Sequence, residues 1–255
     1  MRAESELAAV RDAVRASLNR PYRVTFSMVL LMALVPLYVF IAEAMPRRAV
    51  HAPAVPLDRL IPLLPAWGLV YGSLYLFLIL LPILVVAGDE PIRRTFSAYL
   101  MVWLVAYACF FLYPTIAPRP ALLSGDGFAL WGLRFLYSAD PPYNCFPSLH
   151  VAHSFVGAFA SRRVDRRVGV FATGCAVLVA LSVLFAKQHY VLDVAAGLLL
   201  ACLADAIFLR GWTRDAVPES NRRIAPVVTS VSLGFVAVVL AGVWGAYLLT
   251  GLARR

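Results

Sequence analysis

Two short strings carry side chains that can transfer protons and bind anions, and each lies where an apolar segment begins. Residues 147–150 read Pro-Ser-Leu-His, and residues 189–193 read His-Tyr-Val-Leu-Asp. The chain has only four histidines, and two of them, His150 and His189, lie in these strings. Such groups at the edge of an apolar phase indicate acid–base or covalent catalysis.

His189 and Asp193 are spaced so that they would share one face of a helix. A carboxylate beside an imidazole holds one tautomer and stabilises the imidazolium form. Because an ionisable pair inside an apolar span is costly, it indicates a functional site. The alternative is a helix-capping acid next to an interfacial histidine.

The first string has the features of a helix start that binds an anion. Ser148 or Asn144 can cap the helix, and Pro147 fits its first turn. The free backbone N–H groups of that turn, where Leu149 stands, favour an anion. Ser148 would add a hydroxyl donor and His150 an acid or base. The alternative is an ordinary helix start with an interfacial histidine.

Two cations complete the predicted site. Arg119 lies between two prolines, which stiffen the chain around a guanidinium suited to bidentate phosphate contact. Lys187 is the only lysine of the chain and stands just before His189. The alternatives are an arginine that sets topology or meets headgroups, and a snorkelling lysine. Together these residues predict phosphoryl transfer through a covalent histidine intermediate, with no metal and no cofactor.

The composition predicts that membrane helices position these residues. The chain has 255 residues, of which 62% are hydrophobic and 15% are charged, whereas a soluble domain carries about 25% charged residues. Apolar runs of roughly 20 residues span a bilayer as helices. We therefore expect an all-α, polytopic membrane helix bundle, with six core transmembrane helices and a seventh, C-terminal span.

The apolar runs place the expected spans near 24–43, 66–87, 95–113, 147–161, 168–186, 190–209 and 226–250. Residues 1–23 predict an amphipathic interfacial helix rather than a cleavable signal peptide. Residues 24–209 would form the catalytic membrane domain, and 226–250 an additional transmembrane helix. The long loop 114–146, with a short interfacial helix at 128–137, is expected to cover the site or guide the substrate.

The net charge of +9 does not indicate nucleic acid binding, because the arginines lie in short loops between apolar spans. Most of them fall on one side of the predicted spans. This bias places the N-terminus in the cytoplasm and both histidine strings at the outer face. The arginine-rich composition suggests a bacterial cytoplasmic membrane. The four cysteines lack a Cys-x-x-Cys pair and predict neither a disulfide framework nor a zinc site.

The order and spacing of these residues resemble the type 2 phosphatidic acid phosphatase superfamily. Its three motifs read Lys-x6-Arg-Pro, Pro-Ser-Gly-His and Ser-Arg-x5-His-x3-Asp. The matching positions of this chain are Arg119 and Pro120, then Pro147, Ser148 and His150, then Ser182, His189 and Asp193. The combination of the three motifs is far more specific than any one of them.

Departures from the three motifs point to a branch of that superfamily. Leu112 stands at the first-motif lysine, Leu149 at the second-motif glycine and Val183 at the third-motif arginine. Lys187 would then replace one missing cation. The strings at 143–150 and 187–190 resemble the inositolphosphotransferase (aureobasidin-target-like) branch, whose members move phosphorylated headgroups between lipids.

The resemblance implies a role for each site residue. His189 would be the nucleophile, Asp193 would orient it, and His150 would protonate the leaving oxygen. The residues implied to hold the phosphate are Arg119, Ser148, Leu149 and Lys187. The implied activity is that of a membrane lipid phosphatase or headgroup phosphotransferase, acting on a lipid phosphate or phosphodiester at the outer face. The remaining alternative is a lipid transporter or lipid-binding membrane protein without chemistry.

Overall fold

The computed structural model describes residues 36–252, which form helices and connecting loops without a β-strand. The helices in chain order are α1 (36–44), α2 (Ala66–Val85), α3 (Asp89–Leu112), α4 (Phe128–Ala139), α5 (Leu149–Val164), α6 (Arg166–Phe185), α7 (Val191–Ala204) and α8 (Glu219–Leu252). Single helical turns add Met45–Arg47, Pro56–Arg59 and Arg214–Ala216. The interfacial helix expected at 1–23, and the first part of the span expected at 24–43, lie outside the described residues.

Within the described residues, five helices are long and apolar enough to cross a membrane. They are α2, α3, α6, α7 and α8. A π-helical turn at Asp205–Leu209 extends α7, so that its span is Val191–Leu209. Large apolar side chains such as Leu104, Val170 and Leu199 are exposed on their outer faces, as lipid contact requires. The expected all-α membrane helix bundle is confirmed.

The span expected at 147–161 corresponds to α5, which differs from the other spans in length and surroundings. Its 16 residues rise by about 24 Å, less than the ~30 Å hydrocarbon core of a bilayer. It packs against α2, α3, α6 and α7, and most of its side chains are buried. A helix enclosed by other helices does not need to match the lipid thickness. Accordingly, α5 forms the centre of the bundle.

A tight turn joins α5 to α6. Asp165 ends α5, and its carboxylate accepts hydrogen bonds from the backbone N–H groups of Arg167 (2.9 Å) and Val168 (3.1 Å). This contact caps the start of α6. A Cβ atom at Gly169 would lie 2.1 Å from the Cα atom of Arg162, so only glycine permits this close turn.

Ion pairs join α5 and α7 at the end of the bundle remote from the histidines. Arg163, in the last turn of α5, lies 2.9 Å from Asp205 at the end of α7. Arg210 lies 3.6 Å from the other carboxylate oxygen of Asp205. Since α5 begins beside His150 and α7 begins beside His189, the two helices run parallel from the histidines to these ion pairs.

The loop 114–146 contains α4 where a short interfacial helix was expected. This helix packs against α2 and α8, and the rings of Phe128 and Trp244 meet edge to face with centroids 4.7 Å apart. At its other end, the Tyr137 hydroxyl donates to the carbonyl of Ala186 at 2.7 Å. Because Ala186 closely precedes His189, α4 lies at the end of the bundle that carries the histidines.

Candidate active site

The first turn of α5 presents His150. Ser148 is the N-cap residue, and its hydroxyl oxygen accepts from the N–H of Val151 at 3.4 Å. The Ser148 N–H donates to the backbone carbonyl of Asp193 at 3.0 Å, which joins the starts of α5 and α7. The side chain of Leu149 is buried in the core, so Leu149 can offer a ligand only its backbone N–H.

A tight turn between α6 and α7 presents His189. Lys187 adopts a left-handed conformation with φ 53°, which L-residues rarely occupy, and the chain reverses there. The N–H groups of Gln188 (2.9 Å) and His189 (3.2 Å) both donate to the carbonyl of Val183. In this chain the third-motif arginine position therefore supplies a backbone acceptor that holds the turn.

His189 and Asp193 form a buried pair at the start of α7. Nδ1 of His189 lies 3.4 Å from Oδ2 of Asp193, an ion-pair distance without hydrogen-bond geometry. The same Oδ2 accepts from the N–H of Tyr190 at 2.8 Å, which caps α7. The side chains of His189 and Asp193 are 4% and 0% exposed. A positive charge on His189 would thus be balanced by a carboxylate shielded from water.

His150 connects this pair to a tyrosine on α2. Nδ1 of His150 lies 3.1 Å from Nε2 of His189, and Nε2 of His150 lies 2.5 Å from the hydroxyl of Tyr71. One set of protons satisfies these contacts: Tyr71 donates to His150, His150 donates to Nε2 of His189, and the Nδ1 proton of His189 faces Asp193. This arrangement leaves a lone pair on Nε2 of His189, as a nucleophile needs.

A glycine on α7 lets the two histidines meet. A Cβ atom at Gly197 would lie 2.5 Å from the carbonyl oxygen of Ser148 and 3.2 Å from the Cβ atom of Val151. A larger residue would push α7 away from the first turn of α5. The close contact between His150 and His189 therefore depends on the missing side chain at Gly197.

Arg119 is held beside the histidines through Gln188. Its guanidinium donates to Oε1 of Gln188, with Nε at 3.1 Å. Nη1 also donates to the backbone carbonyls of Tyr137 (3.2 Å) and Asp140 (2.8 Å). The guanidinium carbon lies 4.5 Å from the centre of the Tyr137 ring, a cation–π distance. These contacts fix the orientation of Arg119 next to Gln188, the residue before His189.

Asp140 is a buried acid near Arg119. Its carboxylate accepts from the hydroxyl of Tyr38 at 2.9 Å and lies 3.8 Å from Nη2 of Arg119. Burial raises the pKa of Asp140, while the Tyr38 hydrogen bond and the Arg119 charge act in the opposite direction. Asp140 thus offsets part of the charge on Arg119.

Lys187 points towards the loop that precedes α2. Its ammonium donates to the backbone carbonyls of Asp58 (3.4 Å) and Ile61 (2.5 Å). The Asp58 carboxylate accepts from the N–H of Val191 at 2.9 Å, so the same loop also caps α7. These contacts position the turn that carries His189. Phosphate binding by Lys187 stays a prediction and would require the ammonium to leave both carbonyls.

His153, one helical turn after His150, lies in an aromatic cluster. Its Nδ1 is 3.0 Å from the hydroxyl of Tyr75, and its ring stacks on Trp103 with centroids 5.2 Å apart. The Tyr99 and His153 rings also meet at a steep angle, with centroids 5.6 Å apart. These contacts are those of a packing residue behind His150.

Cys145 completes the surroundings of His189 and Asp193. One potential metal-ligand atom from each of the three residues lies within 4.8 Å of the other two. The backbone N–H of Cys145 donates to Oγ1 of Thr115 at 3.0 Å. Burial, together with the charges of Asp193 and Asp140, raises the pKa of the Cys145 thiol well above its usual value. The thiol is therefore protonated near neutral pH, a form in which cysteine is a poor nucleophile.

The structure brings most of the predicted site residues together. The first turn of α5 and the start of α7 join Ser148, His150, His189 and Asp193. Arg119 reaches this group through Gln188, whereas the ammonium of Lys187 is bound to carbonyls outside it. The neighbouring residues that were not predicted from the sequence are Tyr71, Asp140, Cys145 and Gln188. For Tyr71, the only sequence signal is a second tyrosine, Tyr75, at helical spacing.

Two comparisons relate the chain to known proteins. The family model of the PAP2 superfamily matches residues 50–207, which include both histidine strings. A PA-phosphatase related-family protein of Dictyostelium discoideum is 24% identical over 121 residues, covering 43% of this chain and 22% of that protein. The match thus spans about a fifth of the length of that relative. No solved structure matches the chain.

Proposed function

Because this chain belongs to the PAP2 superfamily, we propose that it is a membrane enzyme that takes phosphate from a lipid through a covalent intermediate on His189. The observation that carries this proposal is the line of contacts from Tyr71 through His150 and His189 to Asp193. It combines a nucleophile, a proton donor and a charge-balancing carboxylate, which covalent phosphoryl transfer requires.

In the first step, Nε2 of His189 attacks the phosphorus atom of the lipid phosphate. The bond between phosphorus and the lipid oxygen breaks, and protonated His150 gives its Nδ1 proton to that oxygen. The phosphorylated His189 ring keeps its Nδ1 proton beside Asp193, whose carboxylate balances the positive ring. His150 is then neutral, with its remaining proton on Nε2 facing the hydroxyl of Tyr71.

In the second step, His150 changes from acid to base. Its free Nδ1 accepts a proton from water or an alcohol as that oxygen attacks phosphorus, and the bond between phosphorus and Nε2 of His189 breaks. The hydroxyl of Tyr71 accepts from the N–H at Nε2 of His150 throughout both steps, and it donates to Nε2 when His150 is neutral with its proton on Nδ1. The contact between them therefore supports both steps.

The phosphate oxygens would be held by donors around His189. These donors are the Leu149 N–H and Ser148 hydroxyl at the start of α5, and the guanidinium of Arg119. We add the amide of Gln188, whose Nε2 is buried without a hydrogen-bond partner among the described residues. Because Oε1 of Gln188 already accepts from Arg119, this nitrogen is free to donate. This donor would replace part of the phosphate binding that an arginine at the position of Val183 would supply.

The site would lie at the outer face of the membrane. The arginines at 93–94, 162–163 and 166–167 lie at the end of the bundle opposite the histidines. Loops rich in arginine stay in the cytoplasm. The substrate would then be a phospholipid of the outer leaflet, reached beneath the loop 114–146.

A headgroup phosphotransferase is the second candidate. The burial of His189 and Asp193 favours it, because a site closed to water protects a phosphorylated histidine until a second lipid or polyol arrives. The resemblance of 187–190 to the inositolphosphotransferase branch supports the same reading. Both candidates use the same first step and differ only in the acceptor of the second.

A lipid transporter or lipid-binding protein without chemistry is the third candidate. It is favoured by the leucine at 112, which is 76% exposed where the superfamily has a lysine. Val183 also favours this candidate, because an apolar side chain stands where the superfamily has an arginine. Fewer cations weaken phosphate binding in the transition state, although Arg119 and the start of α5 are still present.

Purified protein in mixed micelles, given phosphatidic acid, separates the three candidates. Release of inorganic phosphate supports the phosphatase, and transfer of the phosphoryl group to an added lipid or polyol without phosphate release supports the transferase. The His189→Ala variant should lose turnover, and His51→Ala is the matched control, since His51 is exposed and stacks on Tyr113. Turnover that survives His189→Ala contradicts the proposal, and lipid binding without any turnover supports the third candidate.

A further inference from the structure

We propose that Cys145, His189 and Asp193 form a binding site for a thiophilic divalent cation such as Zn²⁺, and that its occupation blocks the nucleophile. Thiolate, imidazole and carboxylate are the ligands that Zn²⁺ takes in proteins. The three residues come from two places far apart in the sequence, the loop before α5 and the start of α7. Their spacing in the chain therefore gives no zinc motif.

The distances in the site suit a tetrahedral cation. With Zn–N and Zn–O bonds near 2.0–2.1 Å, two ligand atoms at the tetrahedral angle lie about 3.3 Å apart. Nδ1 of His189 and Oδ2 of Asp193 are 3.4 Å apart. The sulfur of Cys145 lies within 4.8 Å of a ring nitrogen of His189 and a carboxylate oxygen of Asp193, so it needs to approach by no more than about 1 Å to complete the set.

The polar atoms of the pair also lack other partners. Nδ1 of His189 and Oδ1 of Asp193 are buried, and neither has a hydrogen-bond partner among the described residues. Nε2 of His189 faces His150, so Nδ1, on the side of Asp193, is the nitrogen that would bind the metal. Buried polar atoms without partners are costly, and a cation bound by Nδ1 and the Asp193 carboxylate would satisfy the ring nitrogen.

Binding of the cation would remove the nucleophile. A metal bound to Nδ1 uses the lone pair of that nitrogen, so the ring proton must move from Nδ1 to Nε2. The thiol of Cys145 releases its proton to solvent. Nε2 of His189 then has no lone pair for attack on phosphorus. This inhibition rests on the proposed function, whereas the binding of the cation does not.

The soft thiolate predicts selectivity. Zn²⁺ and Cd²⁺ bind thiolate strongly, whereas Mg²⁺ and Ca²⁺ prefer oxygen ligands. The other cysteines offer a matched control. Cys202 lies exposed on α7, within the apolar span Val191–Leu209, and is not part of the cluster.

Direct binding tests the site without turnover. Metal-free full-length protein in detergent is titrated with Cd²⁺ alone, and the ultraviolet cadmium–thiolate band and the bound metal per chain are measured. We expect one site that Cys145→Ser weakens at least about 100-fold, because even the loss of an outer-shell partner costs about 10–100-fold in affinity. Cys202→Ser should bind as the parent does. No saturable Cd²⁺ binding, or equal binding by Cys145→Ser, overturns the proposal.

Inhibition is then measured with Zn²⁺ on phosphatidic acid, as a fraction of the uninhibited rate of each variant. Zn²⁺ should inhibit the parent and Cys202→Ser at concentrations that leave Cys145→Ser active, and Mg²⁺ should not inhibit. Equal inhibition of Cys145→Ser overturns the inhibitory site. Cd²⁺ binding that depends on Cys145, in a protein without turnover on any phospholipid, retains the metal site and contradicts the proposed function instead.

Discussion

In the proposed mechanism, the hydroxyl of Tyr71 supports proton exchange by His150. Because this hydroxyl faces Nε2 of His150 at 2.5 Å, Tyr71→Phe removes the partner that serves both tautomers. We expect kcat to fall about fivefold with little change in KM, since a hydrogen bond of this kind is worth about 1 kcal/mol. Steady-state kinetics on phosphatidic acid measures both constants.

Tyr75→Phe is the matched control for Tyr71→Phe. Tyr75 lies on the same helix and its ring also meets His150, but its hydroxyl contacts His153. Its kcat should stay within about twofold of the parent, because the ring contacts are retained. Equal losses of kcat in the two variants would show that Tyr71 acts through packing of α2 alone.

Gln188 should affect phosphate binding, because its amide lies between Arg119 and the proposed position of the phosphate. Gln188→Glu keeps the shape, but pairs a carboxylate with Arg119 and repels a phosphate. We expect kcat/KM to fall about 100-fold, against about tenfold for Gln188→Met, because hydrogen bonds to charged groups are worth about 1.5–3 kcal/mol. If the glutamate variant is no worse than the methionine variant, the phosphate does not bind beside Gln188.

At this scale, the residues predictable from the sequence were those joined by local spacing. His189 and Asp193 share a helix face, and His150 follows a helix start, so their types and positions sufficed. The Tyr71 contact depends on how α2 packs against α5, which no local pattern contains. Lys187 shows where local spacing misleads. It lies two residues before His189, but its ammonium donates to the carbonyls of Asp58 and Ile61.

At the scale of elements, the approach of α7 to the start of α5 sets the geometry of the site. Gly197→Ala places a methyl group 2.5 Å from the carbonyl oxygen of Ser148, so α7 must shift. Overpacking of this kind costs about 1–3 kcal/mol. We expect a lower Tm by tryptophan fluorescence in detergent and a loss of turnover larger than the loss of folded protein.

Gly174→Ala is the control for this steric effect. Gly174 lies on α6, and a Cβ atom there would meet nothing within 4 Å. Alanine favours the helix relative to glycine, so Tm should be unchanged or higher and turnover should be retained. Full activity of Gly197→Ala at an unchanged Tm would mean that the contact of α5 with α7 does not position the histidines.

Hydropathy predicted the existence of the helices better than their ends. The span expected at 95–113 belongs to α3, which begins at Asp89. Hydropathy placed its start too late because the first turns carry charged residues such as Arg93 and Arg94. The helix expected at 226–250 likewise begins at Glu219. For α5, an apolar run identified the helix, but its enclosure by four other helices follows only from tertiary packing.

At the scale of the whole molecule, the proposed orientation in the membrane rests on the charge at the two ends of the bundle. Asp126 is exposed in the loop at the histidine end, and Ser220 is exposed near the arginine-rich end. In intact cells, a membrane-impermeant maleimide should label Asp126→Cys and should label Ser220→Cys only after permeabilisation. The parent chain gives the background of its own cysteines. The reverse labelling pattern would place the site in the cytoplasm.

The central claim for the whole molecule is that His189 carries the phosphate between two half-reactions. The direct measurement is to mix the protein with phosphatidic acid labelled in its phosphate, quench in base, and locate the label by peptide mass spectrometry. The account predicts an acid-labile phosphate on Nε2 of His189, absent from His189→Ala. Turnover of the lipid without any label on His189 would contradict it.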